Sequence, residues 1–207
     1  EKTNAPAELE ELIAKWRQAG PDDVRARMAL DFVQDELRYT GIELGPDSYR
    51  PTHPFDTFRL RYGDCKGKSS LLCTILREMN IEAYPALVDS GGGMVGEGRL
   101  PSPFAFDHVI VKIIMDGKVA WVDPTATYQG GSIWGRHVSH FGNALVIQPG
   151  VTGLEAIPFP APDKSQQLVT SEFKLRDYKT PVALTVTTVY RGAEADDNRR
   201  SEERRVG

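Results

Sequence analysis

Three side chains of the sequence, Cys65, His108 and Asp123, have the types and the order that nucleophilic acyl transfer requires. In that chemistry a cysteine thiolate attacks a carbonyl carbon, and a histidine takes the thiol proton and later protonates the leaving group. A carboxylate holds the imidazole in the required tautomer. The function therefore depends on whether the fold brings these three residues together.

Cys65 lies at the start of a predicted helix, directly after Gly63 and Asp64. Aspartate is a preferred helix cap, and the positive end of the helix dipole stabilises a thiolate in the first turn. Lys66 and Lys68 add positive charge nearby. Main-chain N–H groups of this turn could also hold a developing oxyanion. The alternative is an inert thiol, because free cysteine is often simply part of a core.

His108 and Asp123 are predicted to be neighbours on two strands of a hairpin. Asp116-Gly117 separates two apolar runs, which is typical of a two-residue β-turn. With that turn Asp123 lies opposite Ile110, which shares a sheet face with His108. Such diagonal neighbours have Cα atoms about 7–8 Å apart, a gap that imidazole and carboxylate can bridge. A longer turn would shift the register and separate the pair.

The other cysteine, Cys73, lies on the same predicted helix as Cys65. Their separation along a helix is roughly 12 Å, whereas a disulfide needs Cα atoms within about 7 Å of each other. The two thiols therefore cannot pair. Cys73 is surrounded by leucine and isoleucine at helical spacing, so we predict that it is a core residue.

The elements that must position these residues follow from apolar periodicity and from the chain breakers. Helices are predicted over 7–19, 21–37 and 65–79, strands over 38–43, 81–88 and 143–148, and a hairpin over 107–123. Residues 44–62 contain several prolines and are predicted to be irregular. Residues 89–106 are rich in glycine and proline and are a candidate lid. The fold class predicted is α+β, with N-terminal helices and the nucleophile helix packed on an antiparallel sheet.

The predicted domain organisation is a core over 1–150, a linker over 151–167 and an incomplete C-terminal β domain over 168–200. Alternating apolar and polar residues in the third segment are typical of strands, yet an isolated hairpin is marginally stable. Residues 201–207 are charged and patternless and are interpreted as a non-native tail. Because residue 1 is glutamate and no signal peptide is visible, the chain is interpreted as a piece of a longer protein.

Composition argues against several classes of function. The net charge is −4, which does not suggest a nucleic-acid surface. No apolar stretch approaches the roughly 18–20 residues needed to span a bilayer. Neither cysteine has a group of histidine or acidic ligands nearby, and the His137-x-x-His140 pair after Trp134 is a weak signal, so no metal is predicted. No cofactor is predicted either.

Four segments resemble the transglutaminase-like superfamily. The nucleophile segment RYGDCKGKSSLLCTILREMNIEAYPALV, the histidine strand FAFDHVIVKI and the aspartate strand WVDPT occur in the order of that superfamily. The upstream segment LRYTGIELGPDSYRPTHPFDTF is similar to one in a bacterial branch whose core has flanking β-rich domains. Gly67 stands where that branch commonly has an acid, which leaves the nucleophile in place.

The resemblance implies a papain-like, transglutaminase-like core and a triad of Cys65, His108 and Asp123. It implies a protein or peptide substrate and a thioester intermediate. Resolution by water would make the protein a cysteine peptidase or amidase, and resolution by an amine would make it an acyltransferase. The superfamily includes inactive members, so a non-catalytic binding or assembly module is the alternative, and a metal-dependent hydrolase ranks third. The resemblance also implies a periplasmic or cell-surface location and flanking domains in one longer chain.

Two aromatic residues are candidates for the wall of the site. Tyr39 belongs to a predicted strand ahead of the nucleophile, where its phenol could cover the thiol or donate to an oxyanion. Trp121 alternates with Asp123 and so shares that face of the hairpin. Core packing is the alternative for both residues.

Overall fold

The computed structural model of the protein describes residues 5–41, 45–91, 100, 102–158 and 166–206. The chain divides into two compact units, 1–160 and 161–207. The first unit contains Cys65, His108 and Asp123, so it holds the whole candidate site.

Among the described residues, the α-helices of the first unit are α1 (Ala7–Arg17), α2 (Asp22–Asp35), α3 (Pro54–Leu60) and α4 (Cys65–Glu78). α1, α2 and α4 were predicted from apolar periodicity. α3 contradicts the irregular structure predicted over 44–62. Pro54 occupies the first turn, where proline is favoured, and the His53 side chain accepts a hydrogen bond from the Phe55 N–H at 3.3 Å. No helix in the described part of the chain is long and apolar enough to span a membrane.

The main sheet of the first unit has five antiparallel strands in the order β5-β4-β3-β6-β7. These strands are β3 (Glu82–Val88), β4 (His108–Met115), β5 (Lys118–Val122), β6 (Asn143–Val146) and β7 (Glu155–Ala156). β7 lies inside the segment 151–167 that was predicted to be a linker, and it pairs with β6. Part of that segment therefore completes the core sheet.

A separate parallel pair joins β1 (Arg38–Tyr39) to β2 (Tyr62–Gly63). β1 is shorter than the strand predicted over 38–43, whose residues 42–43 lie outside the described residues. The pairing brings the end of α2 alongside the residues that lead into α4. Thr40 N–H donates to Gly63 O at 3.0 Å, which fixes the main chain just ahead of Cys65.

The register of the β4–β5 hairpin is the one predicted from a two-residue turn. Met115 pairs with Lys118 and Val111 with Val122. The turn residues Asp116 and Gly117 have φ angles of 49° and 71°. Positive φ at both positions is the requirement of a type I′ turn, whose twist matches that of the flanking strands.

The sheet separates two apolar clusters. On one face, α4 packs its leucine and isoleucine side chains against Val111, Ile113 and Val122. On the other face, Ile110 and Trp121 pack with residues of the later loop and of β6. Side chains alternate along β4, so His108 shares the second face with Ile110. The predicted α+β class, with the nucleophile helix packed on an antiparallel sheet, is confirmed.

The second unit contains a hairpin of β8 (Gln166–Lys174) and β9 (Ala183–Arg191), followed by α5 (Ala193–Val206). Strands were predicted in this segment, but α5, which continues through residues 201–206, was not. Ion pairs between side chains three positions apart, such as Arg199 with Asp196, support a helix without apolar periodicity. The assignments of a separate β domain and of a non-native tail stay predictions.

Candidate active site

Cys65 is the first residue of α4 and is 6% exposed. Asp64 caps the helix, since its Oδ1 accepts a hydrogen bond from the Gly67 N–H at 2.8 Å. The other carboxylate oxygen of Asp64 pairs with Lys66. The sequence therefore places the thiol at the positive end of a capped helix, where a thiolate is stabilised.

His108 and Asp123 are brought into direct contact. His108 opens β4, Asp123 follows β5, and the distance from His108 Nε2 to Asp123 Oδ2 is 2.9 Å. The pairing follows from the hairpin register described above. Because Nε2 is engaged by the carboxylate, Nδ1 is the ring nitrogen that remains for a proton transfer with a thiol.

The Asp123 carboxylate is held at both oxygens. Oδ1 accepts hydrogen bonds from the Thr125 N–H at 2.8 Å and from the Thr125 hydroxyl at 2.7 Å, while Oδ2 faces His108. Burial alone would raise the pKa of Asp123, but His108 and Thr125 hold that pKa below its ordinary value. Asp123 is therefore an oriented anion beside the imidazole.

Cys65 and Asp123 both act on the protonation of His108. Burial alone would lower the pKa of His108, but hydrogen bonding and charge from Asp123 and Cys65 raise that pKa to about 10. The Phe141 ring lies 5.6 Å from the imidazole, centroid to centroid, and covers part of it. The raised pKa favours the protonated imidazole, which is the form that can give a proton to a leaving amine.

Cys73 has the opposite character. It is 1% exposed within the core of α4, and burial raises the pKa of its thiol to about 12. Cys73 and Cys65 are both free thiols in the structure. The buried Cys73 thiol is a small apolar side chain and not a nucleophile.

The two candidate wall residues lie in different surroundings. Trp121 is 9% exposed and belongs to the second apolar cluster, which also contains Phe141 beside the imidazole. Tyr39 is 51% exposed and pairs in the β1–β2 ladder with Gly63, just before the nucleophile. Core packing therefore describes Trp121 and not Tyr39. Their roles as site walls, and that of Tyr39 in oxyanion binding, stay predictions.

Two residues around the site, Thr125 and Gln34, were missed from the sequence, and Lys68 was named only as a positive charge near Cys65. Thr125 follows Asp123 by two positions, a spacing at which a short polar side chain folds back on its neighbour. Gln34 and Lys68 are fully buried. Each is a polar residue on the apolar stripe of its helix. This exception to the apolar pattern was the feature of the sequence that could have indicated a buried polar contact.

The described residues contain no group of three or more His, Cys, Asp and Glu side chains that could hold a metal ion. Trp134 is 41% exposed, and His137 contributes its main-chain carbonyl as an acceptor for the Gln129 side chain. Of the candidate lid at 89–106, residues 92–99 and 101 lie outside the described residues. Next to the lid, Asp107 accepts hydrogen bonds from the N–H and the hydroxyl of Ser90 at 2.7 Å and 2.6 Å.

Comparisons with known proteins give distant structural similarities. No family model and no curated protein matches the chain. A "putative protease" from Parabacteroides distasonis is 16% identical with a TM-score of 0.49, over 95% of this chain and 53% of that one. A "putative cysteine protease" from Cytophaga hutchinsonii is 12% identical with a TM-score of 0.45, over 88% of this chain and 50% of that one. The chain thus spans about half the length of both proteins.

Proposed function

We propose that the protein is a thiol-dependent enzyme that attacks amide bonds of protein or peptide substrates through Cys65. The observation that carries the proposal is the series Cys65, His108 and Asp123, in which a capped-helix thiol lies beside an imidazole oriented by a buried carboxylate. This is the arrangement that nucleophilic acyl transfer with a general base requires.

In the proposed reaction the Cys65 thiolate forms a bond to the carbonyl carbon of an amide. The N–H of Cys65 itself, in the first turn of α4, is the donor that we assign to the resulting oxyanion. The carbon–nitrogen bond then breaks as the His108 imidazolium gives its proton to the leaving amine. A thioester on Cys65 and a neutral imidazole remain.

The thioester is resolved by a second attack, in which His108 accepts a proton instead of giving one. His108 removes a proton from an incoming water or amine, which attacks the thioester carbonyl and releases the thiolate. Water gives a carboxylic acid, and an amine such as a lysine side chain gives a new amide. Incubation of a glutamine-containing peptide with and without a fluorescent alkylamine distinguishes hydrolysis, deamidation and transfer by product mass.

A location outside the cytoplasm stays a prediction.

The first test is the pH dependence of iodoacetamide labelling, with the modified cysteine identified by mass spectrometry. We expect Cys65 to be labelled at pH 7 and Cys73 to stay nearly unlabelled, since only thiolate reacts and burial raises the pKa of the Cys73 thiol to about 12. Cys73 serves as the internal control. Equally slow labelling of both cysteines would contradict the enzyme proposal and favour a non-catalytic binding or assembly module.

The raised pKa of His108 predicts the alkaline side of the activity profile. The imidazolium that protonates the leaving amine persists below this pKa and is lost as pH rises through about 10. We therefore expect kcat/KM for a peptide amide to stay constant up to about pH 9 and to fall near pH 10. A nitrophenyl ester, whose leaving group needs no proton, is the control and should not show this decline. An amide profile that falls near pH 7 would show that His108 is an ordinary imidazole.

A further inference from the structure

Two polar side chains are buried where apolar residues would be expected. Gln34 lies on α2 and Lys68 on α4, and both are 0% exposed. Burial of an amide or an ammonium group is unfavourable unless its hydrogen bonds are supplied by the protein. The partners of these two side chains therefore indicate why each is polar.

Lys68 connects the nucleophile helix to the end of α2. Its ammonium group donates to Leu37 O at 2.8 Å and to Gln34 O at 3.3 Å. Carbonyl groups at the C-terminal end of a helix lack partners within the helix, and a cation there is favourable. Lys68 lies one turn after Cys65 on α4, so the same rigid helix carries the thiol and this contact.

Gln34 connects α2 to the carboxylate side of the site. Its side-chain N–H₂ donates to Asp123 O at 2.8 Å and to Gln129 Oε1 at 2.9 Å. Gln129 in turn donates to His137 O at 2.7 Å, which ties down the loop that follows Asp123. Gln34 thus binds the main chain of Asp123 directly. Through Gln129 it also binds the loop that follows Asp123.

We propose that Lys68 and Gln34 form a buried bridge, from α4 through α2 to Asp123, that positions the catalytic carboxylate relative to Cys65. The inference rests on the proposed function, because the bridge matters for catalysis only if the three site residues react together. Both are positioning residues, since each is fully buried and its side-chain hydrogen bonds go to other groups of the protein. Small misplacements of reacting groups are costly, with about 1 Å corresponding to roughly a 100-fold loss of rate.

The variants Lys68→Met and Gln34→Met test the bridge. Methionine resembles each side chain in length and removes the donors. Gln34 Oε1 is buried without a hydrogen-bond partner among the described residues, and Gln34→Met removes this unsatisfied acceptor. The variant also leaves Asp123 O and Gln129 Oε1 without their donor, so its stability is measured before its rate. We expect each variant to lose about 10- to 100-fold in kcat with KM nearly unchanged. The double variant should lose no more than the worse single variant, because both changes interrupt one bridge.

Arg77→Met is the matched control. Arg77 is a cationic side chain of the same helix, and its guanidinium donates to Ala83 O at 2.9 Å and 2.7 Å. It lies near the other end of α4 and is exposed, so we expect a smaller loss of stability than in Lys68→Met and no loss of rate. Rates are compared at a temperature well below every Tm. Folded Lys68→Met and Gln34→Met enzymes as fast as Arg77→Met would overturn the proposal. If Lys68→Met does not fold, Gln34→Met decides.

A measurement that needs no substrate separates the bridge from the reaction. The titratable groups that act on or face His108 are Asp123, Cys65 and Asp107. NMR titration of the His108 ring in the wild type should report a pKa near 10. In the Gln34→Met variant the midpoint should fall, because the Asp123 main chain loses its hydrogen bond from Gln34 and the carboxylate is placed less closely against the imidazole. An unchanged midpoint overturns the bridge, whereas a shifted midpoint in a protein without activity counts against the proposed function alone.

Discussion

Replacement of Cys65 by alanine should abolish turnover while leaving the fold intact. We expect a loss on the order of 10⁶-fold, as when the nucleophile of a hydrolytic triad is removed. Cys65 lies outside the main apolar cluster, so the shorter side chain should cost little stability. The measurement is single-turnover kinetics, together with intact-mass detection of the acyl-enzyme in the wild type and its absence in the variant.

Cys73→Ala is the control for the choice of cysteine. Cys73 is buried in the main cluster, so its truncation should lower the free energy of unfolding by about 1 kcal/mol. Turnover should stay at the wild-type value, because that thiol does not ionise at working pH. A folded but inactive Cys73→Ala enzyme would mean that the other cysteine is the nucleophile.

Replacement of Asp123 by asparagine should lower kcat by on the order of 10⁴-fold, the effect of the corresponding change in serine-protease triads. An asparagine amide facing His108 Nε2 would donate to that nitrogen instead of accepting from it. The imidazole proton would then sit on Nδ1, which could no longer take the proton of the thiol. KM should change little, since the carboxylate is covered by His108 and Thr125.

Asp107→Asn provides the matched control for this change. It removes the same charge from a carboxylate that also acts on His108, yet Asp107 binds Ser90 and not the imidazole. We expect its kcat to stay within about threefold of the wild type, as for an exposed charge that is largely screened. Equal losses in the Asp107→Asn and Asp123→Asn enzymes would remove Asp123 from its orienting role.

The His108–Asp123 pair could be predicted because it depends on local chain geometry. The Asp116-Gly117 turn sets the register, and the register alone determines which side chains share a face. The start of α4 at Cys65 was likewise indicated by the cap and the apolar spacing. α3 was missed for the complementary reason, since a proline favours the first turn of a helix as readily as it breaks one.

The bridge beneath the site could not be predicted in the same way. Gln34 and Asp123 are 89 positions apart in the chain, and their contact depends on how α2 approaches the loop after β5. Apolar periodicity shows which face of α2 is buried but not which carbonyl oxygen meets it. The polar residues Gln34 and Lys68 on apolar helix faces indicated that polar groups are buried there, but the sequence did not indicate which groups they bind. α5 escaped prediction because charge pairing, and not burial, supports it.

The two-residue turn at Asp116-Gly117 constrains how the chain can change length. His108 and Asp123 lie at the opposite end of the hairpin, about 20–25 Å away along the strands. One residue added to or removed from β5 between the turn and Asp123 would move the carboxylate to the α4 face of the sheet, away from the imidazole. Two residues would keep its face but displace it by about 7 Å along the strand. The length of the hairpin therefore determines whether His108 and Asp123 meet. A hairpin of this kind can keep the triad only if residues are added in equal number to both strands.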